Sequence, residues 1–363
     1  MATKALDYPL KREERVLFGL RALYQRHGYR QYKMGKFEEY DLYARNKDFL
    51  VSDGIITFTD TDGRLMALKP DVTLSIIKNT RDVENIVQKV CYSENVYRIS
   101  GSTRQFKELM QTGLECIGDV DLYSLCEVIS LAAESLDLID GDNALELSHM
   151  GVVSALVNAL ELDPDQRDAT LQCIGEKNAD GLKKLCPGKD TSGVEKLIAA
   201  HGAPKAVIAA LRPFCGQGLA KAALDELEAV TALLNRPNVQ IDFSTVNDMN
   251  YYNGIVFRGY IHGIPSGVLS GGQYDRLMQR MGRESRAVGF AIYMDLLERL
   301  DAEAKPYDVD ALLLYDASAD VAALQRAVEA LTADGTTVTA QRSIPDKLKY
   351  RKLLRFEGGK IID

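Results

Sequence analysis

Two long runs set against each other across a short polar break constrain this chain most. Residues 90–99 and 107–117 both have strand texture, and Ser100-Gly101-Ser102-Thr103 between them supplies turn-forming residues, so the pair reads as an antiparallel hairpin. Residues 121–138 follow as a long amphipathic helix. Upstream, Val16, Leu17, Leu20, Leu23 and Tyr24 fall at helical spacing within residues 10–27, and Gly28 can end that helix in a left-handed conformation. Residues 54–60 and 64–68 flank Asp62-Gly63, a tight-turn signal, and form another hairpin. Residues 71–78 look helical, with Asp71 or Thr73 as the cap. Antiparallel strands interleaved with packed helices define an α+β domain.

The texture changes near residue 150. Through about 235 the chain is rich in Ala and Leu and broken at Pro164, Pro187-Gly188, Pro204, Pro213 and Gly216-Gln217-Gly218, which predicts short helices in a helical insertion. Strand texture returns from Val239, notably at residues 255–261, and a helix at about 287–301 is expected to close a core domain spanning 1–301. Ala302-Glu303-Ala304-Lys305-Pro306 reads as a linker. Beyond it, a strand at 308–315, a helix at 318–333, a strand at 337–340, a helix at 347–355 and a short strand at 360–362 make a small α/β unit, so the second domain is 302–363.

Charge and cysteine usage narrow the function. The 363 residues carry a net charge of −8, which argues against a general nucleic-acid binder. Six cysteines (Cys91, Cys116, Cys126, Cys173, Cys186, Cys215) show no Cys-x-x-Cys spacing, and none of the four histidines are spaced as a metal pair. Reduced thiols in a cytoplasmic protein without a metal site are the expectation. No apolar run approaches the roughly 20 residues of a membrane span, and Met1-Ala2-Thr3-Lys4-Ala5-Leu6 lacks the apolar segment of a signal peptide.

Several stretches, in order, resemble a class II histidyl-tRNA synthetase. Gly28-Tyr29-Arg30 through Phe37-Glu38 resembles the first motif of that class, which implies a homodimer, although Gly35 stands where the family has proline. Leu68-Lys69-Pro70-Asp71-Val72-Thr73 resembles the segment that holds the substrate α-amino group, with Asp71 replacing a glutamate. A carboxylate and a hydroxyl can both accept from an ammonium; the plainer alternative is a helix cap. Arg98 and Lys107 through Glu115 resemble the second motif. The resemblance gives Arg98 to the ATP α-phosphate, puts Lys107 at another arginine position and Ser100 at a glutamate, and has Gln111 and Glu115 hold histidine, Glu115 facing the imidazole. The plainer alternative is an ordinary strand with Gln111, Gly113 and Glu115 on one solvated face. Tyr251-Tyr252-Asn253-Gly254 matches a histidine-specific motif, which would place Tyr252 on the imidazole beside Glu115.

The nucleotide side departs from the family. Asn247 stands at the catalytic arginine, Gln273 of Gly271-Gly272-Gln273-Tyr274-Asp275 at a second, and Leu296 at the ATP arginine of the third motif, where Tyr293 replaces glycine. None of these can replace a planar cation, and losing one preorganised charge costs about 10²–10³ in rate. Leu147-Ser148-His149-Met150-Gly151-Val152 resembles the corresponding stretch of ATP phosphoribosyltransferase regulatory subunits, a catalytically silent family on the same frame.

The resemblance covers about residues 5–300. It implies a class II synthetase-like antiparallel sheet flanked by helices, with a C-terminal domain like a shortened anticodon-binding domain. It also implies no catalytic residue and no cofactor, a short-form ATP phosphoribosyltransferase catalytic subunit as partner in a hetero-oligomer, histidine as effector and no tRNA. Asp71, Thr73, Gln111, Glu115, Tyr251 and Tyr252 are the candidate histidine-binding residues; Arg98, Lys107, Asn247, Gln273 and Leu296 are relic nucleotide positions. A divergent histidyl-tRNA synthetase and a stand-alone histidine sensor are the alternatives.

Overall fold

The computed structural model describes residues 10–50, 54–100, 103–245, 251–301 and 306–362. The chain divides into two compact units, Met1–Leu300 and Asp301–Asp363.

The first unit begins with α1 (Arg12–Arg26), β1 (Arg30–Gln31), β2 (Phe37–Glu39), α2 (Tyr40–Ala44), β3 (Thr57–Thr59), β4 (Leu65–Leu68) and α3 (Thr73–Asn79). The long hairpin β5 (Val87–Ile99) and β6 (Phe106–Gly118) leads into α4 (Leu122–Ile139), β7 (Asn143–His149) and α5 (Met150–Asn158). The helical insertion continues as α6 (Pro164–Gly175), α7 (Ala179–Leu185), α8 (Ser192–Ala199), the short β8 (His201–Gly202), α9 (Pro204–Leu211) and α10 (Gly218–Leu234). β9 (Val239–Asp242), β10 (Ile255–Ile261), β11 (Leu269–Gln273), α11 (Asp275–Arg280) and β12 (Arg286–Tyr293) complete the sheet, and a 3₁₀ helix, Met294–Asp301, follows.

Among the described residues, nine strands form one sheet in the order β1-β5-β6-β12-β11-β10-β7-β9-β8. From β5 through β7 every pair is antiparallel; parallel pairs occur only at β1–β5 and β7–β9. One face of this sheet is covered by α4, which buries Val128, Ile129, Ala132 and Leu136. Asp121 caps that helix, its Oδ1 accepting from the Ser124 N–H at 2.8 Å. α1 packs Leu20, Leu23 and Tyr24 into the same core, and the Tyr24 hydroxyl meets Ser135 Oγ at 3.0 Å. Gly28, past the end of α1, has φ +82°, the left-handed value its position calls for. β2, β4 and β3 make a separate three-stranded sheet beside α3.

The run expected as a helix at 287–301 is instead β12 followed by 3₁₀ helix. β12 lies between β6 and β11 with Ala287, Val288, Phe290 and Ile292 all buried. A strand buried on both faces loses the period-two signal, so its apolar run looks the same as a buried helix.

The second unit contains β13 (Val309–Tyr315), α12 (Val321–Thr332), β14 (Val338–Gln341), β15 (Tyr350–Glu357) and β16 (Lys360–Ile362), with strand order β14-β13-β15-β16. The helix expected at 347–355 is thus mostly strand. Leu354 and Phe356 point into a small core with Ala311 and Leu313, while Arg355 and Glu357 are exposed. Pairing with β13 outweighs the helix propensity of the Lys, Leu and Arg residues there.

Candidate functional site

The face of the sheet opposite α4 is polar. In register, Glu115 of β6 lies beside Gly289 of β12, and Gly113 beside Ala291. Ala291 then neighbours Ser270 of β11, which neighbours Arg258 of β10. Above these strands lies a cavity of about 210 Å³. Its walls include Asp71, Thr73, Arg98, Gln111, Glu115, Tyr251 and Tyr252, so all six candidate histidine-binding residues and one relic position converge on it.

Glu115 anchors the site. It is 2% exposed, its Oε1 accepts from Thr73 Oγ1 at 2.8 Å, and its Oε2 accepts from the Tyr274 hydroxyl at 2.5 Å. Burial pushes its carboxyl up to about 8, although both hydroxyl bonds pull the other way. It fits only because residue 289 is glycine: a Cβ there would stand 1.8 Å from Glu115 Oε2. Gly272 plays the same part for Tyr252, whose ring would meet a Cβ at 2.8 Å.

Asp71 sits at the start of α3. Its Oδ1 accepts from the Leu74 N–H at 2.9 Å, so the capping alternative holds, yet the carboxyl also lines the cavity. Burial raises its proton affinity, countered by the Leu74 N–H and by the Arg98 charge. Gln111 is 4% exposed and lines the cavity. The solvated-strand alternative for Gln111 and Glu115 therefore fails. Tyr251 packs edge-on against Tyr252 (4.7 Å between centroids) and is tilted on Tyr274 (5.9 Å). Burial holds the Tyr92, Tyr251 and Tyr274 hydroxyls far above their ordinary range, so they remain neutral hydrogen-bonding groups.

The relic nucleotide positions do not gather in the same way. Arg98 lines the cavity, and its Nε donates to Pro70 O at 3.1 Å. Lys107 is exposed on β6. Gln273 is buried, and its Oε1 accepts from the Ile255 N–H at 2.6 Å, tying β11 to β10. Leu296 packs against the main core. Asn247 lies outside the described residues. Sequence reasoning assigned no role to Tyr274, Tyr92 or Arg258, which share the cavity. Arg258 alone carried a signal, a single cation within the strand-like run Ile255-Val256-Phe257-Arg258-Gly259-Tyr260-Ile261.

A second polar cluster joins Glu146, His201 and Asp242, whose ligand-type atoms lie within 4.8 Å of one another. Lys177 already meets Asp242 Oδ2 at 2.5 Å, so an ammonium supplies positive charge there.

The antiparallel sheet flanked by helices is that of the histidyl-tRNA synthetase-like class II fold, and the chain belongs to the histidyl-tRNA synthetase family, matching it over residues 4–297. Within that family it is 30% identical over 292 residues to the ATP phosphoribosyltransferase regulatory subunit of Clostridium kluyveri, covering 76% of this chain and 74% of that one. The regulatory members of the family are therefore its kin. A crystal structure from Bacillus halodurans, described as an ATP phosphoribosyltransferase regulatory subunit/histidyl-tRNA synthetase, superposes with a TM-score of 0.76 at 22% identity, covering 98% of this chain and 99% of that one. An ATP phosphoribosyl transferase (HisG:HisZ) complex from Thermotoga maritima gives 0.62 at 23% identity, covering 78% of this chain and 97% of the matched chain. No described helix is long and apolar enough to cross a membrane.

Proposed function

We infer that this chain is a non-catalytic regulatory subunit that assembles with a short-form ATP phosphoribosyltransferase catalytic subunit and carries histidine in the cavity over β6 and β12. The observation that carries the reading is the split fate of the two residue sets. The amino-acid set (Asp71, Thr73, Gln111, Glu115, Tyr251, Tyr252) stays together around one cavity. Of the nucleotide set, Gln273 and Leu296 are committed to holding strands and core. Glu115 suits an imidazole: ionised, it accepts from a ring N–H; protonated, it donates to a ring nitrogen. Asp71 and Gln111 can meet the ammonium. Feedback then requires that histidine bind one state of the assembly more tightly than another. Homodimerisation through the β1–β2 region and a cytoplasmic location belong to the same reading.

Reconstitution tests it. Added to a short catalytic subunit, this chain is expected to raise ATP phosphoribosyltransferase activity, and histidine is expected to lower it. The isolated chain is expected to show no histidine-dependent exchange of pyrophosphate into ATP. Exchange activity would overturn the non-catalytic assignment.

A further inference from the structure

We propose that Arg258, which takes no part in the motifs discussed above, is the residue that recognises the carboxylate of the amino acid in this cavity. The proposal rests on histidine occupying the site. The cavity is polarised. Glu115 and Asp71 stand on one side, and β6 is separated from β10 by two strands, about 14 Å at roughly 4.8 Å per strand. Between them the intervening strands lay a floor of Gly289, Ala291 and Ser270, with Tyr293 lining the cavity at the end of β12. Arg258 rises from β10 on the far side, on the same face as Ser270 and Ala291 by register. A trough with a carboxyl wall, a small-residue floor and a guanidinium wall fits a zwitterion lying across it.

Two cationic side chains line the cavity among the described residues, Arg98 and Arg258. Arg98 is committed to the acid wall: its Nε donates to Pro70 O, and its charge partly offsets the effect of burial on Asp71. Arg258 has a different setting. Its register partner on the neighbouring strand is Glu146, whose carboxyl also hydrogen-bonds Tyr260. Tyr260, two residues along β10, hydrogen-bonds the guanidinium and can fix its direction. A guanidinium has five donors in a fork that matches a carboxylate, so it can keep such a neighbour and still take an anion.

Calorimetry on the full chain separates this role from a structural one by comparing L-histidine with histamine, which keeps the imidazole and amine but has no carboxylate. Arg258→Gln is expected to weaken L-histidine binding by roughly 10- to 100-fold, the usual worth of a charged hydrogen bond. Histamine affinity is expected to stay the same, and Arg258→Lys to recover part of the loss for L-histidine. Equal weakening of both ligands would overturn the proposal in favour of a packing role. Unchanged L-histidine affinity in Arg258→Gln would overturn it while leaving the histidine site standing. Failure of the unmodified chain to bind L-histidine at all would overturn the site and this proposal with it.

Discussion

Glu115 is a deeply buried carboxyl group, and its titration follows from that. In the folded chain it titrates near 8, against 4.5 for an ordinary glutamate. Between those values the folded state holds a proton that the unfolded state has lost, so this group makes stability fall as pH rises from about 4.5 to about 8. Glu115→Gln removes that slope. Thermal melts at pH 5 and pH 8.5 are expected to differ less in the variant, by an amount on the order of 1–4 kcal/mol. An identical pH dependence would mean that Glu115 is ionised in the cavity. Gly289→Ala attacks the same side chain sterically. The new methyl cannot coexist with Glu115 Oε2, and because the neighbour is a tethered, hydrogen-bonded carboxylate, a loss of roughly 1–3 kcal/mol in stability and of histidine binding is expected from denaturation and calorimetry. Of these groups, Glu115, Thr73 and Gln111 were legible because their motifs are contiguous. Tyr274 and Arg258 were not, because what brings them into the same cavity as Glu115 is the pairing of strands 140 or more positions away in sequence.

At the level of elements, local chemistry and pairing contributed unequally. α4 is specified locally: an apolar stripe, and an aspartate at its start with the bond a cap requires. Asp121→Ala is expected to cost ~1 kcal/mol, seen as a lower denaturant midpoint with an unchanged slope. The hairpin of β5 and β6 was equally readable, since its turn residues sit between two runs of matching length. β12 and β15 were misread for opposite reasons. β12 is covered on both faces, so nothing alternates along it. β15 does alternate over its last residues, Leu354 and Phe356 inward against Arg355 and Glu357 outward, but its residue types favour helix. In each case a deciding partner, β6 for β12 and β13 for β15, lies far away in the chain.

For the whole molecule, the cavity and its supports all lie within the first unit, and the second has its own core of Ala311, Leu313, Leu354 and Phe356. A chain ended after Leu300 is expected to bind L-histidine as the full chain does, by calorimetry; lost affinity would show that the second unit contributes to the site. The sheet order has a further consequence. The two walls of the cavity belong to β6 and β10, and the hydrogen-bond ladder fixes the strands between them at intervals of about 4.8 Å. The site therefore has a set gauge. It cannot be stretched to suit a longer ligand without breaking the ladder, whereas its depth follows from the side chains at 270, 289 and 291. Selectivity in this frame is tuned by filling or emptying the floor, in steps of a methyl or a hydroxyl, while the span stays constant.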